Sequence, residues 1–189
     1  MDLIIQDLCK AYHGQAVLQD FSYCFPEGKT TCIMGRSGCG KTTLLNLILG
    51  LELPDTGTIQ GNKEPMAAVF QEDRLCRNLT VQANIRLVNK RLSEERIREL
   101  LAAVDLEEAW DKKAGELSGG MFRRTAIARA LAADRNCILM DEPLSGLDPD
   151  TRIKVLDTIK KYTKGKTLLL VTHEKQDAFS LGADKILEM

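Results

Sequence analysis

The sequence has no long apolar run, and its first residues show no signal-peptide pattern. No stretch approaches the roughly 20 apolar residues that a membrane-spanning helix needs. The first residues, MDLIIQDLCK, also lack the charged and apolar regions of a signal peptide. We therefore expect a protein that stays in the cytosol.

Charge of one sign is not in excess either. Lys and Arg total 26 and Asp and Glu total 27, so the formal net charge is -1. This balance provides no basic field for gathering the phosphates of nucleic acids. It argues against stable nucleic-acid binding.

The six cysteines form no CxxC pair and no zinc-like cluster. We expect free thiols in a reducing compartment, most of them small buried apolar residues. Internal repeats and low-complexity segments are also absent. The 189 residues, 44% of them hydrophobic, are enough to bury a core and suit one compact domain or a domain with a small insert.

The order of patterns along the chain predicts an α/β protein. Alternating segments at 3–8 and 16–25 favour an antiparallel β start. TTCIM is a β-prone run, and a Gly-rich turn and the helical pattern TTLLNLILG, closed by Gly50, follow it. CILM and TLLLVT are apolar like parallel strands covered on both faces, with a helix between them from about Pro149 to Tyr162.

Residues 72–134 form a more charged, helical stretch. In it Ser93 can cap a helix, and one face of that helix carries the apolar residues Ile97, Leu100, Leu101 and Val104. We therefore predict a single domain of 1–189. It has a core of 1–71 and 135–189, with a mainly parallel sheet and an antiparallel β subdomain, and a small helical subdomain of 72–134.

Residues 35–42, GRSGCGKT, match the phosphate-binding pattern G-x-x-x-x-G-K-[ST] between a predicted strand and helix. Backbone N–H groups would face the phosphates, Lys41 would meet the β- and γ-phosphates, and Thr42 would offer a hydroxyl to Mg²⁺. The full pattern in this setting disfavours a simple Gly-rich turn, and no G-x-G-x-x-G follows the strand. The predicted nucleotide contacts here are Gly35, Arg36, Ser37, Gly38, Cys39, Gly40, Lys41, Thr42 and Thr43.

Cys39 lies inside this loop, beside Lys41 and at a helix N-terminus. Such a setting favours the thiolate and hence alkylation, whereas burial would favour an inert thiol. Both an activated thiol and a small spacer stay open.

CILMDE is an apolar strand that ends in Asp141 and Glu142, at the sheet edge where ligands bind. Asp141 can hold Mg²⁺, directly or through water. Glu142 can polarise the water that attacks the γ-phosphate. An ordinary exposed strand end is the alternative, which the upstream phosphate-binding loop disfavours.

LSGGM at 117–121, followed by FRRTAIARALA, resembles the signature motif of the ABC ATPase family, whose usual form ends in Gln. The resemblance covers nearly the whole chain and implies a P-loop NTPase (RecA-like) core. Ser118 and the amides of Gly119 and Gly120 would open a helix and make a second anion-binding N-terminus. A merely capped helix is the alternative.

The resemblance implies roles for four more residues. Tyr12 resembles the aromatic that stacks on adenine, and Gln71 the Q-loop glutamine that contacts Mg²⁺ and the attacking water. Asp148, in SGLD, resembles the D-loop at the dimer interface, and His173 the switch histidine at the γ-phosphate. Without the family setting they would be an edge tyrosine, a loop glutamine, a helix cap and a solitary histidine. His13 is assigned no role.

The chain departs from the family pattern in two places. Met121 replaces the common Gln, as it does in nitrate, sulfonate and taurine importer relatives, which VFQEDRL and LTVQANI also resemble. The chain stops at Met189, soon after the His173 strand, so we expect no C-terminal regulatory domain.

The resemblance implies a subunit that binds ATP and Mg²⁺ and powers an ABC transporter, with an importer of a small organic or inorganic anion as the expectation. In the family two subunits pair head to tail, so that the Ser118 element of one closes on ATP at Lys41 of the other. Expected partners are a second ATPase subunit (a homodimer or a paired chain), transmembrane permease subunits and a solute-binding protein. The expected place is the cytoplasmic face of the membrane.

Other functions are disfavoured by particular residues. A GTPase needs NKxD, and NKEP at 62–65 has Pro65 in place of the carboxylate. Intact Lys41, Asp141, Glu142 and His173 argue against a non-hydrolysing scaffold. The lack of coiled coil, tandem domain and basic excess argues against a soluble ABC-type ATPase that serves DNA or ribosomes.

Overall fold

The structure is a computed structural model that describes residues 1–61, 64–72 and 74–189. Asn62 and Lys63 of the NKEP segment lie outside the described residues. Among the helices that the described residues form, none is both long and apolar enough to cross a bilayer.

The chain forms both strands and helices, as the sequence predicts for the α/β class. The strands are β1 (Leu3–Tyr12), β2 (Gln15–Phe25), β3 (Thr30–Met34), β4 (Thr56–Gln60), β5 (Ala67–Val69), β6 (Cys137–Asp141), β7 (Thr167–Val171) and β8 (Lys185–Glu188). The helices are α1 (Lys41–Ile48), α2 (Val81–Arg86), α3 (Glu94–Ala103), α4 (Gly119–Ala132), α5 (Pro149–Thr163) and α6 (Lys175–Leu181). Short 3₁₀ helices lie at Glu107–Ala109 and Ala114–Glu116.

The chain divides into two compact units. The first consists of Met1–Met66, Asn136–Asp141 and Gly165–Met189, and the second of Ala67–Arg135 and Glu142–Lys164.

The first unit contains the predicted antiparallel β start, a sheet in the order β2-β1-β4. Tyr12 pairs with Gln15, so β1 and β2 are joined by a loop of two residues, His13 and Gly14. Both have positive φ, 51° and 81°, as a tight hairpin turn of the I′ type requires. His13 therefore occupies a turn position.

The first unit also contains four parallel strands in the order β6-β7-β3-β8. All residues of β6 and β7 are buried, as their apolar sequences predict. Asp141, at the end of β6, pairs with Val171 at the end of β7, and Ile33 of β3 pairs with the same Val171. The carboxyl ends of these strands therefore meet at one edge, which brings the loop after β3, Asp141 and the segment after β7 together.

Helix α1 helps to bury the core of this unit. Leu44, Leu45 and Leu47 from the helix join Ile33 and Leu139 from the strands in one apolar cluster. Burying each such side chain contributes about 1.5 to 3 kcal/mol. This packing fixes the start of α1 against the sheet edge.

The burial of the cysteines differs from the prediction. Only Cys32 and Cys137 are buried; Cys9 and Cys39 are half-buried, and Cys24 and Cys76 are exposed. The prediction that most of them are buried is wrong. Cys24 precedes the fully buried Phe25 on β2, and successive strand residues face opposite sides. Burial raises the pKa of the Cys32 thiol to about 12, which makes it inert near neutral pH.

The second unit contains the predicted helices. Ser93 Oγ accepts a hydrogen bond from Arg96 N at 3.2 Å, and the predicted apolar face of α3 is buried, with Leu100 and Leu101 in its last turn. Helix α4 has no single apolar face; from Thr125 to Ala132 nearly every residue is buried. Its alanines allow close packing on several sides.

Candidate nucleotide site

The loop between β3 and α1 is shaped by glycine. Gly40 is the N-cap of α1 and has φ 101°, a conformation that other residues rarely adopt. A Cβ atom there would also lie 2.9 Å from a methyl carbon of Val17. A Cβ on Gly38 would meet nothing within 4 Å, so the backbone at Gly38 is open on that side. The loop thus presents bare backbone at a helix start.

Lys41 is the first residue of α1, directly after this loop, and its exposed fraction is 9%. Its Nζ donates hydrogen bonds to the carbonyls of Gly35 at 2.8 Å and Arg36 at 2.9 Å, and Cys39 Sγ is 3.8 Å away. The N-terminal N–H groups of α1 add a positive partial charge, and Gly40 has no side chain to cap them. The Lys41 ammonium and the start of α1 together make a positive electrostatic field that favours the binding of a phosphate.

Thr42 and Asp141 are brought together although 99 positions separate them: Thr42 Oγ1 donates to Asp141 Oδ2 at 2.7 Å. Asp141 is 3% exposed. A hydroxyl and a carboxylate are hard oxygen ligands of the kind that Mg²⁺ prefers. The residues therefore fit the metal predicted for them.

Tyr12 ends β1 and is 37% exposed. Its hydroxyl donates to the carboxylate of Glu52, which also accepts from Asn46 Nδ2 at 2.8 Å. The hydrogen bond to Glu52 raises the pKa of Tyr12, and the same bond lowers the pKa of Glu52. Lys10 Nζ lies 5.4 Å from the ring centroid. The ring is thus anchored at its hydroxyl while part of it faces solvent, as stacking on a base would require.

His173 follows β7 at the same sheet edge. Its side chain is 61% exposed, and Nε2 lies 3.9 Å from Glu174 Oε1. Thr172 Oγ1, just before it, donates to Asp177 Oδ2 at 2.9 Å and accepts from Glu174 N. These bonds anchor the backbone next to the histidine.

Glu142 belongs to the second unit and has φ 48°, in the left-handed region. A residue other than glycine in this region costs about 1 to 3 kcal/mol and is often found at functional sites. The backbone of Glu142 is therefore strained, whereas Asp141 is still part of strand β6.

The start of α4 is a helix end that is capped by a side chain. Ser118 is the N-cap, and its Oγ accepts from Met121 N at 3.3 Å. A Cβ on Gly119 would meet nothing within 4 Å, and one on Gly120 would meet only Leu147 at 3.7 Å. The helix start is therefore accessible.

Asp148 caps α5 by accepting from Thr151 N at 3.0 Å, and Pro149 follows in the first turn. This hydrogen bond lowers the pKa of the Asp148 carboxyl. Asp148 is therefore a helix cap. Its role at a dimer interface stays a prediction.

The comparisons with known proteins agree on one family. A family profile described as "ABC transporter" matches residues 18–145. The aliphatic sulfonates import ATP-binding protein SsuB 2 of Agrobacterium fabrum is 41% identical over 99% of this chain and 75% of its own length. The sulfate/thiosulfate import ATP-binding protein CysA 2 of Chromobacterium violaceum is 38% identical over 99% of this chain and 56% of its own length.

A solved structure is similar throughout. It is the dimeric structure of a post-hydrolysis state of an ATP-binding cassette bound to ADP and Pi, with a TM-score of 0.88 and 30% identity over 99% of this chain and 94% of that one. The chain belongs to the ABC transporter family. It is an ABC-type ATPase, the ATP-binding and ATP-hydrolysing component of a transporter.

The predicted site residues of this ABC ATPase are divided between its two units. The first carries Tyr12, the phosphate-binding loop, Asp141 and His173, and the second carries Gln71, the Ser118 helix start, Glu142 and Asp148. The family resemblance was sound, including its likeness to sulfonate and taurine importers.

Two residues of the ABC ATPase have contacts at the site that sequence reasoning missed. Glu52 anchors Tyr12, and Arg123 donates to the backbone carbonyl of Gln71 at 2.7 Å. A charge just beyond the end of α1 was a signal for Glu52, although its partner lies 40 positions away. For Arg123, FRRTAIARALA shows two adjacent arginines and no sign of their targets.

Proposed function

We propose that this ATPase powers the import of a small anion of the sulfonate or sulfate type. The support is the naming of similar proteins as import ATP-binding proteins for aliphatic sulfonates, sulfate or thiosulfate, and taurine. These solutes share a tetrahedral, sulfur-centred anionic group. Met121 in the signature motif also resembles the nitrate, sulfonate and taurine importer relatives.

The observation that carries the catalytic proposal is the hydrogen bond of 2.7 Å between Thr42 Oγ1 and Asp141 Oδ2, next to the buried Lys41. Lys41 binds the β- and γ-phosphates of the substrate ATP. Thr42 and Asp141 would hold Mg²⁺, and the ion would supply positive charge that neutralises the phosphates. The metal site lies at the sheet edge where the strands end.

Three residues act on the attacking water and the γ-phosphate. Glu142 accepts a proton from the water, Gln71 orients that water and contributes to the metal site, and His173 donates to the γ-phosphate. Tyr12 holds adenine by stacking on its ring.

A second copy of the chain, or a paired ATPase subunit, completes the site. Charge on the γ-phosphate needs donors on more than one side, and the accessible start of α4 at Ser118 supplies N–H groups from the partner. Asp148 lies at that interface. The similar structure bound to ADP and Pi is a dimer, which supports this arrangement.

The motion of the pair acts on transmembrane permease subunits at the cytoplasmic face of the membrane, with a solute-binding protein delivering the anion. The support is again the naming of the similar proteins as import subunits. We expect the permease to dock near Gln71 and the helical second unit.

The test is to purify the tagged chain from membranes of its native host and identify the proteins that co-purify. A multispanning permease and a sulfonate- or sulfate-binding protein are expected. Uptake of radiolabelled sulfate and taurine is then measured in cells that carry either the unaltered chain or Lys41→Ala, with Lys175→Ala as the matched control. The proposal is wrong if the chain co-purifies only with soluble assemblies, or if Lys41→Ala leaves uptake of both anions unchanged.

A further inference from the structure

Arg123 donates hydrogen bonds to the two backbone carbonyls that flank the α-carbon of Gln71. Its Nη1 donates to the carbonyl of Phe70 at 2.7 Å, and its Nη2 donates to the carbonyl of Gln71 at 2.7 Å. All three residues belong to the second unit. A guanidinium presents parallel donors in a rigid fork, and charged donors make the stronger hydrogen bonds. Two successive carbonyls are thus held by one side chain.

The same short segment has a second anchor. The guanidinium of Arg74 lies 4.0 Å from the centroid of the Phe70 ring, within the range of a cation–π contact. Phe70 and Gln71 directly follow β5, so the strand holds the segment at one end. With its carbonyl held, the backbone of Gln71 has a set direction, and the side chain starts from a defined position.

Arg123 is itself held by a well-anchored helix. It lies on α4, whose first residue follows the cap Ser118. The next residue, Arg124, points elsewhere and donates to the carbonyl of Val104 at 3.0 Å and to Asp105. Consecutive helix residues are turned by about 100°, so the two arginines tie α4 to two different segments.

We propose that Arg123 is the positioning residue for Gln71, and that it couples the start of α4 to the water-orienting and metal-binding glutamine. Any displacement of α4, when a second subunit engages Ser118, is carried through the guanidinium fork to the Gln71 backbone. This inference rests on the proposed role of Gln71. Arg123 touches neither ATP nor water in this scheme, so its effect is on turnover.

The test compares Arg123→Lys with Arg98→Lys in the purified ATPase. Lysine keeps the charge but cannot bridge two carbonyls as a planar fork does. Arg98 is a matched control, because it lies in the same unit and pairs with Glu94 at 2.8 Å on the surface of α3. We expect Arg123→Lys to lower kcat about tenfold with KM for ATP changed by less than about twofold, and Arg98→Lys to change neither.

A double-mutant cycle with Gln71→Ala distinguishes positioning from a general structural effect. If Arg123 acts through Gln71, Arg123→Lys causes no further loss of kcat once Gln71 is alanine. The thermal midpoint of each variant identifies loss of folding, and hydrogen exchange of a peptide that contains Gln71 should rise in Arg123→Lys alone.

The measurements distinguish failure of the positioning inference from failure of the proposed role of Gln71. If Gln71→Ala loses turnover while Arg123→Lys keeps the kcat of the unaltered protein, the positioning inference is wrong and the role of Gln71 stands. It is also wrong if the two losses multiply in the double variant. If Gln71→Ala itself keeps full turnover, the proposed role of Gln71 is wrong, and the inference falls with it.

Discussion

At the residue scale, the tyrosine at the end of β1 is held by its hydroxyl. Tyr12→Phe removes the hydrogen bond to Glu52 and keeps the ring, whereas Tyr12→Ala removes both. We expect Tyr12→Ala to weaken ATP binding by about 1 to 3 kcal/mol, the range for stacking of a base on an aromatic ring. Tyr12→Trp should keep the affinity, and Tyr12→Phe should lie between. Calorimetric titration with ATP measures all four proteins.

Equal affinities for Tyr12→Ala and the unaltered protein would show that adenine is held elsewhere. Tyr162→Phe is the control for Tyr12→Phe, because it also removes one tyrosine hydroxyl but on α5 in the second unit.

The second prediction at this scale concerns Cys39, which is half-buried in the phosphate-binding loop with its sulfur 3.8 Å from Lys41 Nζ. The thiol is thus partly accessible in the loop that is proposed to bind the phosphates of ATP, and maleimides alkylate accessible thiols. We expect a maleimide to inactivate the ATPase, MgATP to protect it, and Cys39→Ser to be active and resistant. Peptide mapping gives the site of reaction.

The other cysteines serve as internal references, since Cys24 and Cys76 are exposed and Cys32 is buried. Inactivated protein in which Cys39 is unmodified would leave this residue as a small spacer.

At the scale of elements, Asp105 connects three helices of the second unit. It follows α3 with φ 59°, and its carboxylate accepts from Lys154 of α5 at 3.1 Å and from Arg124 of α4 at 3.3 Å. Thr158 of α5 also donates to the carbonyl of Ala103 at 2.7 Å, the last residue of α3. The signature helix α4 and the helix after Asp148 are thus tied to the same turn.

This connection predicts a pH dependence of stability. The hydrogen bond from Lys154, with its charge, lowers the pKa of the Asp105 carboxyl below its usual value of 3.8. A carboxyl whose folded-state pKa is depressed stabilises the fold above the unfolded-state pKa and loses that contribution as the pH falls through the folded value. We therefore expect Asp105→Asn to be less stable than the unaltered protein at neutral pH, with the difference shrinking below about pH 4.

Urea midpoints between about pH 7 and about pH 3 measure this difference. Asp157→Asn, an exposed change on the same helix α5, is the control. A difference between Asp105→Asn and the unaltered protein that stays constant over the whole range would contradict the electrostatic origin.

At the scale of the whole molecule, the proposed second copy determines whether turnover occurs. Glu142→Gln preserves the shape of the side chain and removes the base, so the variant should bind ATP and lose turnover by about 10²- to 10⁴-fold. Because hydrolysis is what opens the proposed pair, the variant should accumulate as a dimer on size exclusion with ATP and return to monomer with ADP. Glu99→Gln, on the surface of α3, should behave like the unaltered protein. Turnover of Glu142→Gln near that of the unaltered protein would remove Glu142 from its role.

Features that depend on a few neighbouring residues followed from the sequence. Alternation predicted the antiparallel β start, and cap residues predicted the starts of α3 and α4 at Ser93 and Ser118. These signals are local because a cap bonds within one helical turn and strand alternation has a period of two. The fold class and the phosphate-binding loop were predictable for the same reason.

What only the tertiary structure decided are the contacts between distant segments. The strand register places Asp141 against Thr42, and the sequence alone gives only the sheet edge. Tyr12 donates a hydrogen bond to Glu52, and Arg123 donates to the carbonyls of Phe70 and Gln71. The partners of these side chains depend on how the elements pack together. No pattern in the chain encodes the direction of a long side chain such as arginine; packing fixes it only after both elements have formed.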